Sequence, residues 1–140
     1  MTEQDGDGAL GPCIVVIDDD PMDRHVLIRS LKEIDETVEV IEVSDPRQAV
    51  QTIDERTPVL ALLDIQMPMM SGFDVLIALG GRSAPPVMML SSSAYVVDRD
   101  RAMKLGASAY HVKPSSLDGY RALANDIRSA YSSRSDKIQN

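Results

Sequence analysis

Val59-Leu60-Ala61-Leu62-Leu63-Asp64-Ile65-Gln66-Met67-Pro68 is an apolar run that stops at a single carboxylate. Nothing polar alternates with its apolar residues, so both faces are expected to be buried, as in a central strand of a parallel sheet. Met67-Pro68 and then Ser71-Gly72 turn the chain out of the strand, because the residue before proline avoids the helical region and glycine permits a tight bend. Asp64 therefore stands where a strand's carboxyl end opens onto a loop, the place at which open α/β sheets bind ligands. Aspartate is also a common turn and cap residue; its neighbours in the fold decide between the two readings.

The same punctuation recurs along the chain. Cys13-Ile14-Val15-Val16-Ile17 is a short buried-strand run closed by Asp18-Asp19-Asp20-Pro21, where Pro21 suits a first helical turn and Asp20 the N-cap before it. Leu27, Leu31 and Ile34 then give an amphipathic helix, with Arg24, Arg29 and Lys32 on its other faces. Val38 to Val43 alternates, which predicts an edge strand. Asp45-Pro46 opens a second helix with Ala49, Val50 and Ile53 as its stripe, and Thr57-Pro58 ends it. Phe73 to Leu79 predicts a short third helix closed by Gly80-Gly81. Val87 to Leu90 predicts a fourth strand, ending in Ser91-Ser92-Ser93. A fourth helix over Val96 to Leu105 is capped by Gly106. Ala109 to Val112 is the fifth strand, followed by Lys113-Pro114. Leu117, Tyr120, Leu123, Ala124, Ile127 and Tyr131 form the stripe of a last helix. Five strands alternating with five helices predict one α/β domain, a parallel sheet with right-handed crossovers and helices on both faces. Residues 1–12 and 132–140 are expected to be flexible tails around a domain spanning 13–131.

Composition narrows the function classes. The net charge of −8 over 140 residues argues against non-specific binding to nucleic acid or an anionic membrane. No apolar run approaches the ~20 residues of a membrane helix, and no signal pattern opens the chain. The single cysteine, Cys13, excludes an internal disulfide and fits a reducing, cytoplasmic setting, with core packing as its expected role. Met67, Met69, Met70, Met88 and Met89 are expected in loop and core packing rather than as metal-binding thioethers, and His25 in solvent. His111 on an edge strand is a candidate partner contact.

In a parallel sheet the strand ends share one edge, so Asp18, Asp19, Asp64, Ser91 and Lys113 are expected together. Crowded carboxylates repel unless a cation intervenes. Lys113 is one candidate, and a hard divalent ion suited to oxygen donors, Mg²⁺, is the other.

Val-Ile-Asp-Asp-Asp-Pro (16–21), Leu-Leu-Asp-Ile-Gln-Met-Pro-Met-Met-Ser-Gly (62–72), Met-Leu-Ser-Ser (89–92) and Tyr-His-Val-Lys-Pro (110–114), in this order and at these separations, closely resemble the receiver domain of two-component response regulators. The resemblance covers about residues 13 to 131. It implies a flavodoxin-like, doubly wound fold with strand order 2-1-3-4-5. It implies Asp64 as phosphoacceptor, with Asp18 and Asp19 holding Mg²⁺ together with Asp64 and the Gln66 backbone carbonyl. Ser91 matches the switch hydroxyl, the Ser92 amide a phosphoryl contact, Lys113 the family's lysine and Tyr110 the rotamer-changing aromatic. Pro114 matches a proline that follows a cis peptide. The implied partners are a histidine kinase or histidine phosphotransfer protein upstream, and a protein target docking on the fourth helix, fifth strand and fifth helix. A stand-alone bacterial receiver, monomeric or weakly dimeric and without direct nucleic-acid binding, is the expectation; the Tyr-bearing last helix is also similar to that of small dimerising receivers paired with photoreceptor kinases. Two other readings remain at this point. One is a phosphorylation-independent interaction module. The other is a phosphatase of the haloacid-dehalogenase type, whose Asp-x-Asp pattern is interrupted here by Pro21-Met22.

Overall fold

The computed structural model describes residues 11–139, with side chains as far as residue 132. Strands β1 (Cys13–Ile17), β2 (Glu39–Val43), β3 (Leu60–Leu63), β4 (Val87–Ser91) and β5 (Ala109–Val112) alternate with helices α1 (Pro21–Ile34), α2 (Ala49–Arg56), α3 (Gly72–Leu79), α4 (Val96–Lys104) and α5 (Leu117–Gln139). All four strand pairings are parallel, and the sheet order is β2-β1-β3-β4-β5. This is the doubly wound, flavodoxin-like order expected from the sequence, with the alternating strand β2 at an edge.

Strand side chains sort by parity onto two cores. Val15, Ile17, Ala61, Leu63, Val87 and Met89 pack with Ala49 and Ile53 of α2, Phe73, Leu76 and Leu79 of α3, and Ala102 of α4. Ile14, Val16, Leu60, Leu62, Met88 and Leu90 face the other way, onto Leu27 and Leu31 of α1 and Leu123, Ile127 and Tyr131 of α5. The central strands need apolar residues at every position because neither face meets water.

Helix starts follow local chemistry. Asp20 caps α1, its side chain accepting from the Met22 and Asp23 amides, and Pro21 needs no hydrogen bond at the first position. Ser71 and Asp74 form a reciprocal capping box at α3. Asp45-Pro46 opens a 3₁₀ turn, Pro46–Gln48, before α2 proper begins at Ala49.

Some expectations shift. Residues 1–10 of the expected leading tail lie outside the described residues, whereas the Pro12 carbonyl accepts from the Glu39 amide at 2.8 Å, so the segment joins the sheet before Cys13. Cys13 itself is half-buried. Helix α5 runs on to Gln139 through the polar segment expected to fray, since no glycine or proline interrupts the chain after Gly119. The cis peptide is Ala84–Pro85 and not the bond before Pro114, a correction to the expectation drawn from resemblance: a motif transfers residue types, whereas the isomer of an X–Pro bond is set by its own packing.

Candidate functional site

The carboxyl ends of β1 and β3 meet because the two strands pair, Ile17 opposite Leu63. One residue on, the Asp64 amide donates to the Ile17 carbonyl at 3.0 Å, and the Asp18 amide donates to the Val43 carbonyl at 3.1 Å. Both residues are nearly closed from solvent, at 5% exposure each. Asp18, Asp19 and Asp64 each present a carboxylate oxygen, and these lie within 4.8 Å of one another. Three carboxylates at such separations repel strongly in a partly buried setting.

Lys113 follows β5, whose pairing with β4 is carried one step further by the Lys113 amide donating to the Ser91 carbonyl at 2.7 Å. Its ammonium crosses back toward the acidic cluster, 2.9 Å from Asp18 Oδ2 and 3.1 Å from Asp64 Oδ2. Burial pushes the Asp64 carboxyl up to about 6, the Asp18 charge adding to this and Lys113 opposing it. Burial works against the Lys113 ammonium, but hydrogen bonds and charge from Asp23, Asp18 and Asp64 outweigh it and hold the lysine protonated far above neutral pH.

Asp64 Oδ1 accepts from the Ile65 amide at 2.7 Å, which orients the carboxylate along the loop. That loop is close against α3: a Cβ on Gly72 would stand 2.2 Å from the Asp64 carbonyl, so only glycine fits there. Gln66 is exposed, two residues past Asp64.

Ser91, the last residue of the strand beside β3, is fully buried, and its hydroxyl oxygen accepts from the Ser93 amide at 3.2 Å. Ser92 is exposed. The Tyr110 hydroxyl, on the edge strand, donates to the Ser93 carbonyl at 2.7 Å, and the Ser93 hydroxyl donates to Asp98 in the first turn of α4 at 2.5 Å. Ser93 thus touches Ser91, Tyr110 and α4 at once. The structure brings Asp18, Asp19, Asp64 and Lys113 into one pocket, and it places Ser91 and Tyr110 in an adjoining network that meets through Ser93.

Two residues at the site escaped the sequence reading. Asp23, in the first turn of α1, lies 2.7 Å from the Lys113 ammonium. Arg24 donates to the Asp18 carbonyl at 2.6 Å and pairs with Glu42 at 3.0 Å, pinning the end of β1. In the sequence both look like ordinary solvated helix residues; an acid in a first turn is already accounted for by the helix dipole. Asp20 caps its helix, as expected, and Met67, Met88 and Met89 are buried in packing.

The donor set fits a hard divalent ion. It is all oxygen, anionic and partly solvent-facing through the half-buried Asp19. No helix among the described residues is long and apolar enough to cross a membrane.

Known proteins share this fold. The family model for the response regulator receiver domain matches residues 14–125. A probable transcriptional regulator, ycf27, of Pyropia yezoensis is 35% identical over 125 residues, covering 89% of this chain and 49% of the relative. The transcriptional regulatory protein KdpE of Mycobacterium tuberculosis is 36% identical over 112 residues, covering 78% of this chain and 47% of KdpE. The chain thus spans about half the length of these curated relatives. Among solved structures, the receiver domain of a putative response regulator NarL from Mycobacterium tuberculosis superposes with a TM-score of 0.71 at 28% identity, covering 86% of this chain and 98% of that one. The phosphorylated cyanobacterial phytochrome response regulator RcpA has the same fold, with a TM-score of 0.79 at 22% identity, covering 88% and 95%. With the receiver-domain model matching residues 14–125 and curated relatives 35–36% identical over most of the chain, the chain belongs to the response regulator receiver domain family.

Proposed function

We propose that this chain is a phosphoryl-accepting switch in which Asp64 takes a phosphoryl group from a phosphohistidine of a histidine kinase or histidine phosphotransfer protein. The observation that carries the reading is the Lys113 ammonium seated 3.1 Å from Asp64 and 2.9 Å from Asp18 in the acidic pocket. An Asp64 carboxylate oxygen attacks phosphorus, the P–N bond to the donor imidazole breaks, and the departing imidazole nitrogen is protonated by solvent. Transfer of this kind rests on positioning and charge stabilisation more than on a general acid or base. Lys113 supplies a fixed cation toward the incoming phosphoryl oxygens. Mg²⁺, held by Asp18, Asp19, Asp64 and the Gln66 carbonyl, would neutralise charge shared between phosphoryl group and carboxylates.

The product adds a dianion where a monoanion stood. Its oxygens are positioned to draw the Ser91 hydroxyl from the Ser93 amide and to accept from the Ser92 amide. Loss of the Ser91–Ser93 bond loosens the segment that also anchors Tyr110 and Asp98. The output face is α4-β5-α5, where Tyr95, just before α4, and Val96 and Val97 in its first turn are 68–75% exposed; so much apolar surface at the start of one short helix suits a protein partner. The acidic charge favours that partner over nucleic acid as the direct contact, and the reading is of a cytoplasmic receiver domain, monomeric or weakly dimeric.

Phosphotransfer tests this directly. The wild type should become labelled in an acid-labile, Mg²⁺-dependent manner from a cognate phosphohistidine donor, and Asp64→Asn should lose essentially all of the label. Undiminished labelling of Asp64→Asn would overturn the assignment of the acceptor; an unlabelled wild type that still captures its partner would favour a phosphorylation-independent module.

A further inference from the structure

We infer that Asp23 is a positioning residue that holds the Lys113 ammonium back from Asp64 and so weakens the pull of the pocket on a phosphoryl group. The inference rests on the reading of Asp64 as phosphoacceptor.

The geometry points to Asp23 in three ways. First, the Lys113 ammonium is ringed by as many carboxylates as it has protons: Asp23 at 2.7 Å and Asp64 at 3.1 Å accept hydrogen bonds from it, and Asp18 lies 2.9 Å away as an ion pair. The shortest contact is to Asp23 and the longest to the acceptor. Second, Asp23 stands outside the group of carboxylates that could share an ion, so a cation bound there does not release Lys113 from it. Third, Asp23 has no capping duty that would explain it. An acid three residues after an N-cap can reach back to the cap amide, but the Asp20 amide donates to Asp18 Oδ1 at 2.9 Å instead. The Asp23 carboxylate is turned to Lys113.

A phosphoryl oxygen recruiting Lys113 must therefore compete with a carboxylate already bound to it by a charge-assisted hydrogen bond. Asp23 also cancels part of the ammonium's charge as felt at Asp64. Its side chain is 34% exposed against 6% for Asp64, so neutralising it strands no buried charge.

The test uses the full chain with beryllofluoride as a phosphoryl mimic in the presence of Mg²⁺, and phosphoramidate as a small donor whose P–N bond breaks with loss of ammonia. Asp23→Asn should bind beryllofluoride tighter, and be phosphorylated faster, by roughly three- to tenfold, the size expected for one partly exposed charge pair. Asp23→Glu, which keeps the charge, should stay near the wild type. In a Lys113→Met background the gain from Asp23→Asn should vanish, which a structural role at the start of α1 would not require. Should Lys113→Met not fold, the contrast between Asn and Glu at position 23 still separates charge from shape. Asp23→Asn binding no tighter than wild type, or showing the same gain without Lys113, would overturn the inference while leaving the acceptor assignment standing. A wild type with no Mg²⁺-dependent beryllofluoride binding would bring down both.

Discussion

At the scale of single residues, the pocket is a balance between crowded acids and one lysine. Burial drives the Asp64 carboxyl up to about 6, the Asp18 charge adding to this and Lys113 opposing it, and three carboxylates with oxygens within 4.8 Å of one another repel where no divalent cation stands between them. Asp19 is the most accessible member of the cluster. Replacing Asp19 by Asn removes one charge from that repulsion and keeps the volume. Asp19→Asn should therefore raise the stability of the metal-free protein by about 1 kcal/mol, measured by urea unfolding in EDTA. A loss of stability there would mean that Asp19 is held by favourable contacts rather than endured. Asp23 and Arg24 show how a residue's role can hide: each is an ordinary helix residue until Lys113 and Asp18 arrive from elsewhere in the chain.

At the scale of elements, two junctions decide how firmly the site is held. The first residue of α3 sits on the backbone of Asp64, where a Cβ would stand 2.2 Å from the Asp64 carbonyl and 2.9 Å from the Ile65 Cα. Those are backbone atoms that cannot swing aside. Gly72→Ala should cost about 2 kcal/mol, in the range of overpacking a tight site, and should also reduce phosphoryl uptake by shifting Asp64; an unchanged melting temperature would show that α3 can retreat freely. The second junction ties α5 to the end of α1. The Tyr131 hydroxyl donates to Asp35 Oδ2 at 2.7 Å, with the Tyr131 ring fully buried. Burial would raise the Asp35 carboxyl, but hydrogen bonds from Thr37 and Tyr131 outweigh it and hold it below the usual carboxylate range. Burial and then the Asp35 bond push the Tyr131 hydroxyl up. A depressed carboxyl contributes stability above its unfolded value, about 4, that is lost as pH falls through its folded value. A raised phenol contributes stability below about 10 that is lost as pH rises through its folded value. Tyr131→Phe should cost about 1 kcal/mol between those limits, and the gap from wild type should close as the pH is taken below about 4. A gap that stays constant down to pH 3 would assign the loss to packing instead.

At the scale of the molecule, metal and fold are linked. A pocket assembled from the ends of β1, β3 and β5 exists only when the sheet is formed, so an ion that needs it binds the folded state alone. Mg²⁺ at about a hundred times its dissociation constant should then stabilise the fold by about 2.7 kcal/mol, seen as a melting temperature several degrees higher than in EDTA. Asp19→Asn should abolish that rise. An equal rise in the variant would mean that the ion acts elsewhere on an acidic surface.

The sequence by itself determined what each stretch had to be. Short runs of apolar residues without alternation, bounded by turn residues, read as central strands buried on both faces rather than as helices; the acids, serine and lysine at the strand ends were thereby assigned to one edge of a parallel sheet. Asp20 and Gly80 marked helix ends through bonds made within a few residues. Those forces are short-range along the chain, and so they are legible in it. Only the tertiary structure decided that Asp23 reaches Lys113 across ninety positions, that Tyr110 and Asp98 meet at Ser93, that Tyr131 finds Asp35, and that the cis peptide falls at Ala84–Pro85. Such features are fixed by how the helices and loops settle on the sheet, a matter of packed volumes rather than of local pattern, and a side chain on a solvated-looking helix face gives no sign of which distant charge will come to meet it.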